Sequence, residues 1–234
     1  MEVTAIEFFC ILGPSGCGKT STLNTIANLE KPTGGKLTIE SPAHQDDINI
    51  GMVFQQHGLF PWMTIKDNIL FVLKNNVKIN AQDIHHIADT YLARVGLSKF
   101  ASYYPHQLSG GMRQRVSIAR SFAINPDLLL MDEPFVFVDY QTRLMLQEML
   151  LELWQGTTIT ILFVTHDIEE AVALADRILV MTAHPGTVKR FVTIPFARPR
   201  NIFELRKQPE FIQYVNDITE MIRAEMLAAL HKND

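Results

Sequence analysis

The sequence predicts an α/β fold in which a phosphate-binding core of strands and helices carries an inserted helical subdomain, and three observations support this. Gly13-Pro14-Ser15-Gly16-Cys17-Gly18-Lys19-Thr20 fills every specified position of the pattern GxxxxGK[S/T], between an apolar run of strand length and a helical stretch. Apolar runs at 50–54, 128–131 and 158–165 each lead into polar residues, the pattern of buried parallel strands that deliver side chains to a ligand-binding edge. From His57 to Tyr104 the pattern changes to helical segments, punctuated by Pro61, Gly96 and Pro105.

Phe8 to Leu12 is the first strand, and Thr20 to Asn28 reads as the helix after the loop. In the loop, Gly13, Gly16 and Gly18 let the backbone turn where a Cβ would clash, so that successive N–H groups face a polyphosphate. Lys19 then reaches the terminal phosphates and the Thr20 hydroxyl takes a place on Mg²⁺. A glycine-rich turn matching by chance is the competing reading, and the later stretches weigh against it. Glu30 to Gly35 is a turn, and the alternation of Lys36 to Glu40 predicts a half-exposed strand. Ile50 to Phe54 predicts a central strand, buried by composition, and it ends in Gln55. That glutamine either touches Mg²⁺ or the attacking water, or simply caps the strand. Leu59-Phe60-Pro61-Trp62-Met63 sets large apolar groups beside a proline in a loop, which either folds onto its own subdomain or forms a docking cleft for a partner.

Ser109 is a good N-cap for a helix whose Met112, Val116, Ala119 and Phe122 recur at helical spacing until Pro126. Gly110 and Gly111 in its first turn cost about 1 kcal/mol each relative to alanine, and they suit either an ordinary glycine-rich cap or an anion approaching the N–H groups. Leu128 to Met131 ends in Asp132-Glu133-Pro134, two carboxylates that strand alternation would aim at different tasks: Asp132 in the Mg²⁺ shell and Glu133 polarising water. Thr158 to Thr165 delivers His166 and Asp167 to the same edge, with Asp167 or Thr165 free to cap the helix Ile168 to Ala175. Phe211, Val215, Ile218, Ile222 and Met226 form a helical stripe expected to pack on the core.

At 234 residues and 47% hydrophobic, the chain has the size of one domain with one substantial core. A formal charge of −4 and no Lys/Arg cluster longer than a pair argue against a nucleic-acid partner. Cys10 and Cys17 are the only cysteines and have no CxxC spacing, so a reducing cytosol fits best. No apolar run approaches the roughly 20 residues of a spanning helix, and no basic segment precedes the first apolar stretch to make it a signal peptide. Any membrane role must pass through a partner.

With the phosphate loop, Gln55, LSGGM at 108–112, LLLMDEP at 128–134 and VTHD at 164–167 in this order, the chain resembles the nucleotide-binding subunits of ABC transporters over roughly residues 6–200. The resemblance implies a P-loop NTPase (RecA-like) core of ABC ATPase type, 1–57 and 125–200, with a helical subdomain at 58–124 and a C-terminal helical tail at 201–234. It implies ATP and Mg²⁺ as ligands, and two such domains, identical or not, sandwiching ATP head to tail. Gly13, Pro14, Ser15, Gly16, Cys17, Gly18, Lys19 and Thr20 of one would face Ser109, Gly110, Gly111 and Met112 of the other, with Asp139 in the loop that crosses the interface. It further implies Thr20, Gln55 and Asp132 around Mg²⁺, Glu133 as general base and His166 as the switch histidine at the γ-phosphate. A permease is implied to dock near Phe60 and Trp62, a solute-binding protein to act indirectly, and the subunit to sit peripherally on the cytoplasmic face of the cell membrane.

Leu59 to Trp62 and Ile194 to Arg200 resemble the branch serving nitrate, sulfonate and taurine importers. Two departures stand out. The family's initial strand, whose aromatic stacks on adenine, has no counterpart here, which implies ATP binding weaker by about tenfold or more if stacking contributes roughly 1–3 kcal/mol. Phe137 is bulky for a loop that usually carries small residues before the aspartate. The rival readings are a truncated or regulatory nucleotide-binding module with weak hydrolysis, and a non-transport ABC ATPase of DNA repair or translation.

Overall fold

The computed structural model describes residues 1–40, 48–76 and 78–230, the side chains of 226–230 excepted. A six-stranded sheet runs in the order β2-β3-β4-β1-β5-β6. Its strands are β1 (Phe8–Leu12), β2 (Ile50–Val53), β3 (Leu128–Asp132), β4 (Thr160–Thr165), β5 (Arg177–Met181) and β6 (Val188–Thr193). The first five are parallel and β6 runs antiparallel to β5. Strand β1 sits between β4 and β5, while the next strand in sequence, β2, lies at the far edge. Such a reversal opens a crevice at the carboxyl ends of the strands. Register fixes what lines it: Leu12 pairs with Thr165 and Asp132 with Val164, so the residues after β1, β3 and β4 emerge side by side.

Alternation divides the core into two layers. Phe9 and Ile11 of β1, Leu130 of β3 and Leu162 and Val164 of β4 face helix α1 (Lys19–Ile26) through Leu23 and Ile26. Phe8, Cys10, Met131 and Phe163 lie in the larger cluster on the opposite face. That cluster also takes in α4 (Gly110–Ala123), α5 (Tyr140–Trp154) and α6 (Ile168–Leu174). Near-continuous apolar strands are what a sheet covered on both faces requires.

Between β2 and α4 lie α2 (Ile65–Lys74) and α3 (Ile84–Arg94), which pack on each other and on α4. Thr64 caps α2 by accepting from the Asp67 N–H at 3.1 Å, and Gly96 beyond α3 takes φ 72°, a left-handed turn that needs no Cβ. Behind β6 follow α7 (Ile202–Leu205) and α8 (Pro209–Leu230), the latter packed on α6. Phe211 and Ile218 of α8 are buried, and Val215 and Ile222 lean on the core. The Met226 side chain and residues 231–234 of the tail fall outside the described residues.

Two expectations fail. Lys36–Glu40 forms no strand: it pairs with no other segment among the described residues, and being largely exposed it leaves its N–H and C=O groups to water rather than to a ladder. Strand β2 is at the sheet's edge rather than its centre; Ile50 and Met52 are only half buried and Phe54 is exposed. Its apolar composition reflects helix cover on one face and not a neighbour on both sides.

Candidate functional site

The crevice is built first by the turn from β1 into α1. A Cβ on Gly13 would lie 2.9 Å from Cys17 Sγ and 3.1 Å from Met181 Cβ, so the loop can close only on glycine. Gly16 and Gly18 take φ 78° and 97°, the left-handed region. Gly18 caps α1 without any side-chain hydrogen bond, and the first turn holds no acidic residue, leaving the helix's N–H groups available to an anion. Lys19 is 5% exposed and folds back to donate to Gly13 O at 2.9 Å and Pro14 O at 3.0 Å. Pro14 is half buried, Ser15 and Thr20 are exposed, and Cys17 is buried. From behind, Gly186 lies against the Cys17 carbonyl so closely that any Cβ there would overlap it.

The ends of β3 and β4 supply the facing groups. Thr20 Oγ1 donates to Asp132 Oδ1 at 3.1 Å. Burial pushes the Asp132 carboxyl up; the Thr20 hydrogen bond opposes this, the neighbouring Glu133 adds to it, and Lys19 pulls it down. Glu133 turns the other way, with Oε1 3.8 Å from Lys19 Nζ and Oε2 3.0 Å from His166 Nδ1. Strand alternation foresaw this separation for the wrong reason. Glu133 lies beyond the strand with φ 42°, held by its own N–H donating to Val164 O at 2.9 Å. His166 is half exposed, and Asp167 rather than Thr165 caps α6, accepting from the Glu170 N–H at 3.1 Å.

Lys19, Thr20, Asp132, Glu133 and His166 are thus one connected set. Gly13 and Pro14 join it through Lys19, whereas among the described residues no hydrogen bond or ion pair ties Gln55, Ser109 to Met112 or Asp139 to it. Gln55 is exposed, two residues beyond the edge strand β2. Ser109 caps α4, accepting from the Met112 N–H at 3.3 Å, and no hydrogen bond or ion pair among the described residues joins 109–112 to the phosphate loop. Instead α4 begins beside the loop after β3: a Cβ on Gly111 would lie 2.6 Å from Thr142 Cγ2, and one on Gly110 3.8 Å from Phe137 O. Asp139 caps α5, accepting from the Thr142 N–H at 3.0 Å, and the Thr142 and backbone hydrogen bonds hold its exposed carboxyl below the usual range.

The apolar loop at 59–63 takes something from both of its readings. Phe60 packs on Phe71 of α2 with ring centroids 4.8 Å apart, while Trp62 is 69% exposed. Sequence reasoning missed what holds this loop. Asn68, buried on α2, accepts from the Phe60 N–H at 2.8 Å and donates to the Phe60, Met63 and Thr64 carbonyls at 3.2, 3.3 and 3.0 Å. An asparagine inside an apolar helical stripe was the available signal. The same region is tied to α4 through His57 Nδ1 and Gln114 Oε1 at 2.5 Å and through Arg120 donating to Gly58 O at 2.8 Å.

Residues 1–136 match the ABC transporter family. The chain belongs to that family. It is 44% identical to an uncharacterized ABC transporter ATP-binding protein of Methanocaldococcus jannaschii, over 98% of this chain and 85% of the relative. It is 42% identical to the nitrate import ATP-binding protein of a Synechocystis species, over 95% and 86% of the two chains. A taurine import ATP-binding protein of Roseobacter denitrificans is 39% identical over 95% and 84%. Among solved structures, a dimeric ATP-binding cassette in a post-hydrolysis state bound to ADP and Pi superposes with a TM-score of 0.70 at 33% identity, covering 84% of this chain and 89% of that one. The ABC ATPase fold expected from the motifs is therefore the fold observed.

Proposed function

We propose that this chain is the ATP-binding and ATP-hydrolysing subunit of an ABC importer, energising uptake of a small solute of the nitrate, sulfonate or taurine kind through a separate permease. The relatives named for nitrate and taurine import support that reading. The observation that carries it is the convergence of Lys19, Thr20, Asp132, Glu133 and His166 where β1, β3 and β4 end.

The chemistry follows from what each group can do. Backbone N–H groups of 13–20 and the Lys19 ammonium bind the β- and γ-phosphates, since both are donors at an uncapped helix N-terminus. Glu133 accepts a proton from the attacking water as its oxygen bonds in line to the γ-phosphorus and the bond to the β–γ bridging oxygen breaks, so that ADP leaves and phosphate is formed. His166 donates through Nδ1–H to Glu133 and so orients that carboxylate; in its imidazolium form it can also donate through Nε2–H toward the γ-phosphate oxygens. Thr20 and Asp132 offer hard oxygen donors 3.1 Å apart, a fit to Mg²⁺, with Gln55 as a further oxygen donor from the loop after β2. When bound, that ion would neutralise charge on the phosphate oxygens. Among the described residues no group of three or more His, Cys, Asp and Glu could hold a metal alone, in keeping with an ion that takes most of its ligands from phosphate and water.

Ser109 to Met112 act from a second copy or a related ATPase subunit, because within one chain they lie beside Phe137 and Thr142 rather than at the phosphate loop. Asp139 lies in that same segment and crosses between subunits. The division into a core at 1–57 and 125–200, a helical subdomain at 58–124 and a tail at 201–234 then separates hydrolysis from coupling. Trp62 and Phe60, on a loop anchored by Asn68, receive the permease. No helix among the described residues is long and apolar enough to cross a membrane, so attachment to the cytoplasmic face of the membrane goes through that contact. A solute-binding protein takes part through the permease.

ATP hydrolysis by the purified chain with Mg²⁺, beside Glu133→Gln, tests the proposal. Activity that falls by about 10²-fold or more in the variant supports it; equal rates in the two would remove Glu133 from the reaction, and no hydrolysis with or without the permease would sink the ATPase reading.

A further inference from the structure

His166 is held by almost nothing of its own. Its ring is half exposed and, among the described residues, its one side-chain hydrogen bond goes to Glu133. The residues on either side, by contrast, are fastened from behind. Thr165 Oγ1 donates to Glu170 Oε2 at 2.8 Å in a buried contact and accepts from the Asp167 N–H at 3.0 Å. Asp167 Oδ2 accepts from Arg143 Nη1 at 3.0 Å. The same guanidinium lies with Nε 3.6 Å from Glu170 Oε1 and donates through Nη2 to Val138 O at 3.4 Å.

Arg143 therefore joins three pieces of chain: the segment ending at Asp139, the turn that carries His166, and α6. Glu170 is faced by Arg143 and Gln147 from α5, by Thr165 from β4 and by Asp167 at the start of its own helix. Cys10 of β1 is close enough to feel its charge. A guanidinium is the side chain suited to such a junction, since its planar fork donates in several directions at once. Burying a carboxylate beside it is costly unless charge pairing and hydrogen bonds offset the lost hydration, as Arg143 and Thr165 do in part here.

We propose that Arg143 and Glu170 are a positioning pair that sets the His166 to Glu133 contact and couples it to the segment ending at Asp139. The proposal rests on the ATPase reading only for its kinetic consequence. If Val138 moves, Arg143 moves with it, and Asp167 and Thr165 carry the displacement to His166. Among the described residues neither has a hydrogen bond or ion pair to the phosphate loop, so their loss lowers turnover and spares binding, which belongs to that loop.

Two measurements on the full chain decide the matter. In steady-state hydrolysis, Arg143→Ala and Glu170→Gln should lower kcat by about 10–100-fold with KM for ATP within about threefold of the parent. Arg143→Lys, which keeps the charge but not the fork, should fall between. By NMR on the nucleotide-free chain, the His166 ring resonances, assigned by their loss in His166→Ala, should be displaced by Glu133→Gln. Arg143→Ala and Glu170→Gln should displace them too, while the other histidine resonances stay in place. Folded variants whose His166 resonances match the parent would overturn the proposal whatever the kinetics give. Should the parent prove inactive both with and without the permease, the ATPase reading falls and the resonances alone decide. Should Arg143→Ala fail to fold, Glu170→Gln and Arg143→Lys carry both measurements.

Discussion

Two helices in this protein begin with glycine and an exposed row of N–H groups, yet they are finished differently. At α1 the cap is Gly18 in a left-handed turn, with no side chain closing the end and Lys19 folded over the loop. At α4 the cap is Ser109, whose hydroxyl accepts from the Met112 N–H, and Gly111 is pressed against Thr142. The first end lies in the crevice with Asp132 and Glu133, whereas the second stands clear of it. Under the proposed function, the end left open beside Asp132 and Glu133 is the one that binds phosphate by itself. The end closed by its own serine and set beside an exposed segment is the one proposed to act on a surface brought by another subunit.

Lys19→Ala attacks the α1 end directly and should lower ATP hydrolysis by about 10²–10³-fold, read in a steady-state phosphate-release assay. The buried half of the apparatus should also titrate. Burial, with the Asp167 charge adding to it and Thr165, Arg143 and Gln147 opposing, lifts Glu170 from 4.5 to about 7. The folded chain then keeps a proton that the unfolded chain has released. The stabilisation is complete below about pH 4.5 and is lost as pH rises through about 7, a span of about 3 kcal/mol. Denaturant midpoints across that range should show the decline in the parent and lose it in Glu170→Gln.

On the α4 side, Gly111→Ala should cost about 1–3 kcal/mol of stability by overpacking, and Thr142→Ser in the same chain, which removes the clashing methyl, should restore most of it. Ser109→Ala sharpens the contrast least: loss of the cap should cost about 1 kcal/mol in thermal unfolding and leave ATP affinity at the phosphate loop unchanged.

The strands β1, β3 and β4, and the edge to which Asp132, Glu133 and His166 belong, were legible because a buried parallel strand is apolar throughout and stops where it turns polar. Ser109 as a cap was legible for a local reason, the hydroxyl reaching its own helix. What lay hidden depends on partners distant in sequence. Lys36–Glu40 alternates like a strand but pairs with nothing among the described residues, and β2 reads as central although it ends the sheet. Neither the backbone turn at Glu133 nor the burial of Glu170, in the helix that follows Asp167, could be inferred before Val164, Thr165 and Arg143 were in place.

The left-handed torsion at Glu133 has a consequence for any search after sturdier variants. A residue with a side chain held at φ 42° forgoes on the order of 1 kcal/mol that glycine, and in part asparagine, would recover. Screens that score survival to heat alone should drift toward those residues at 133 and remove the proposed general base as they do so. Selection for robustness and selection for turnover pull against each other at this single position, and a glutamate there is a record of which one prevailed.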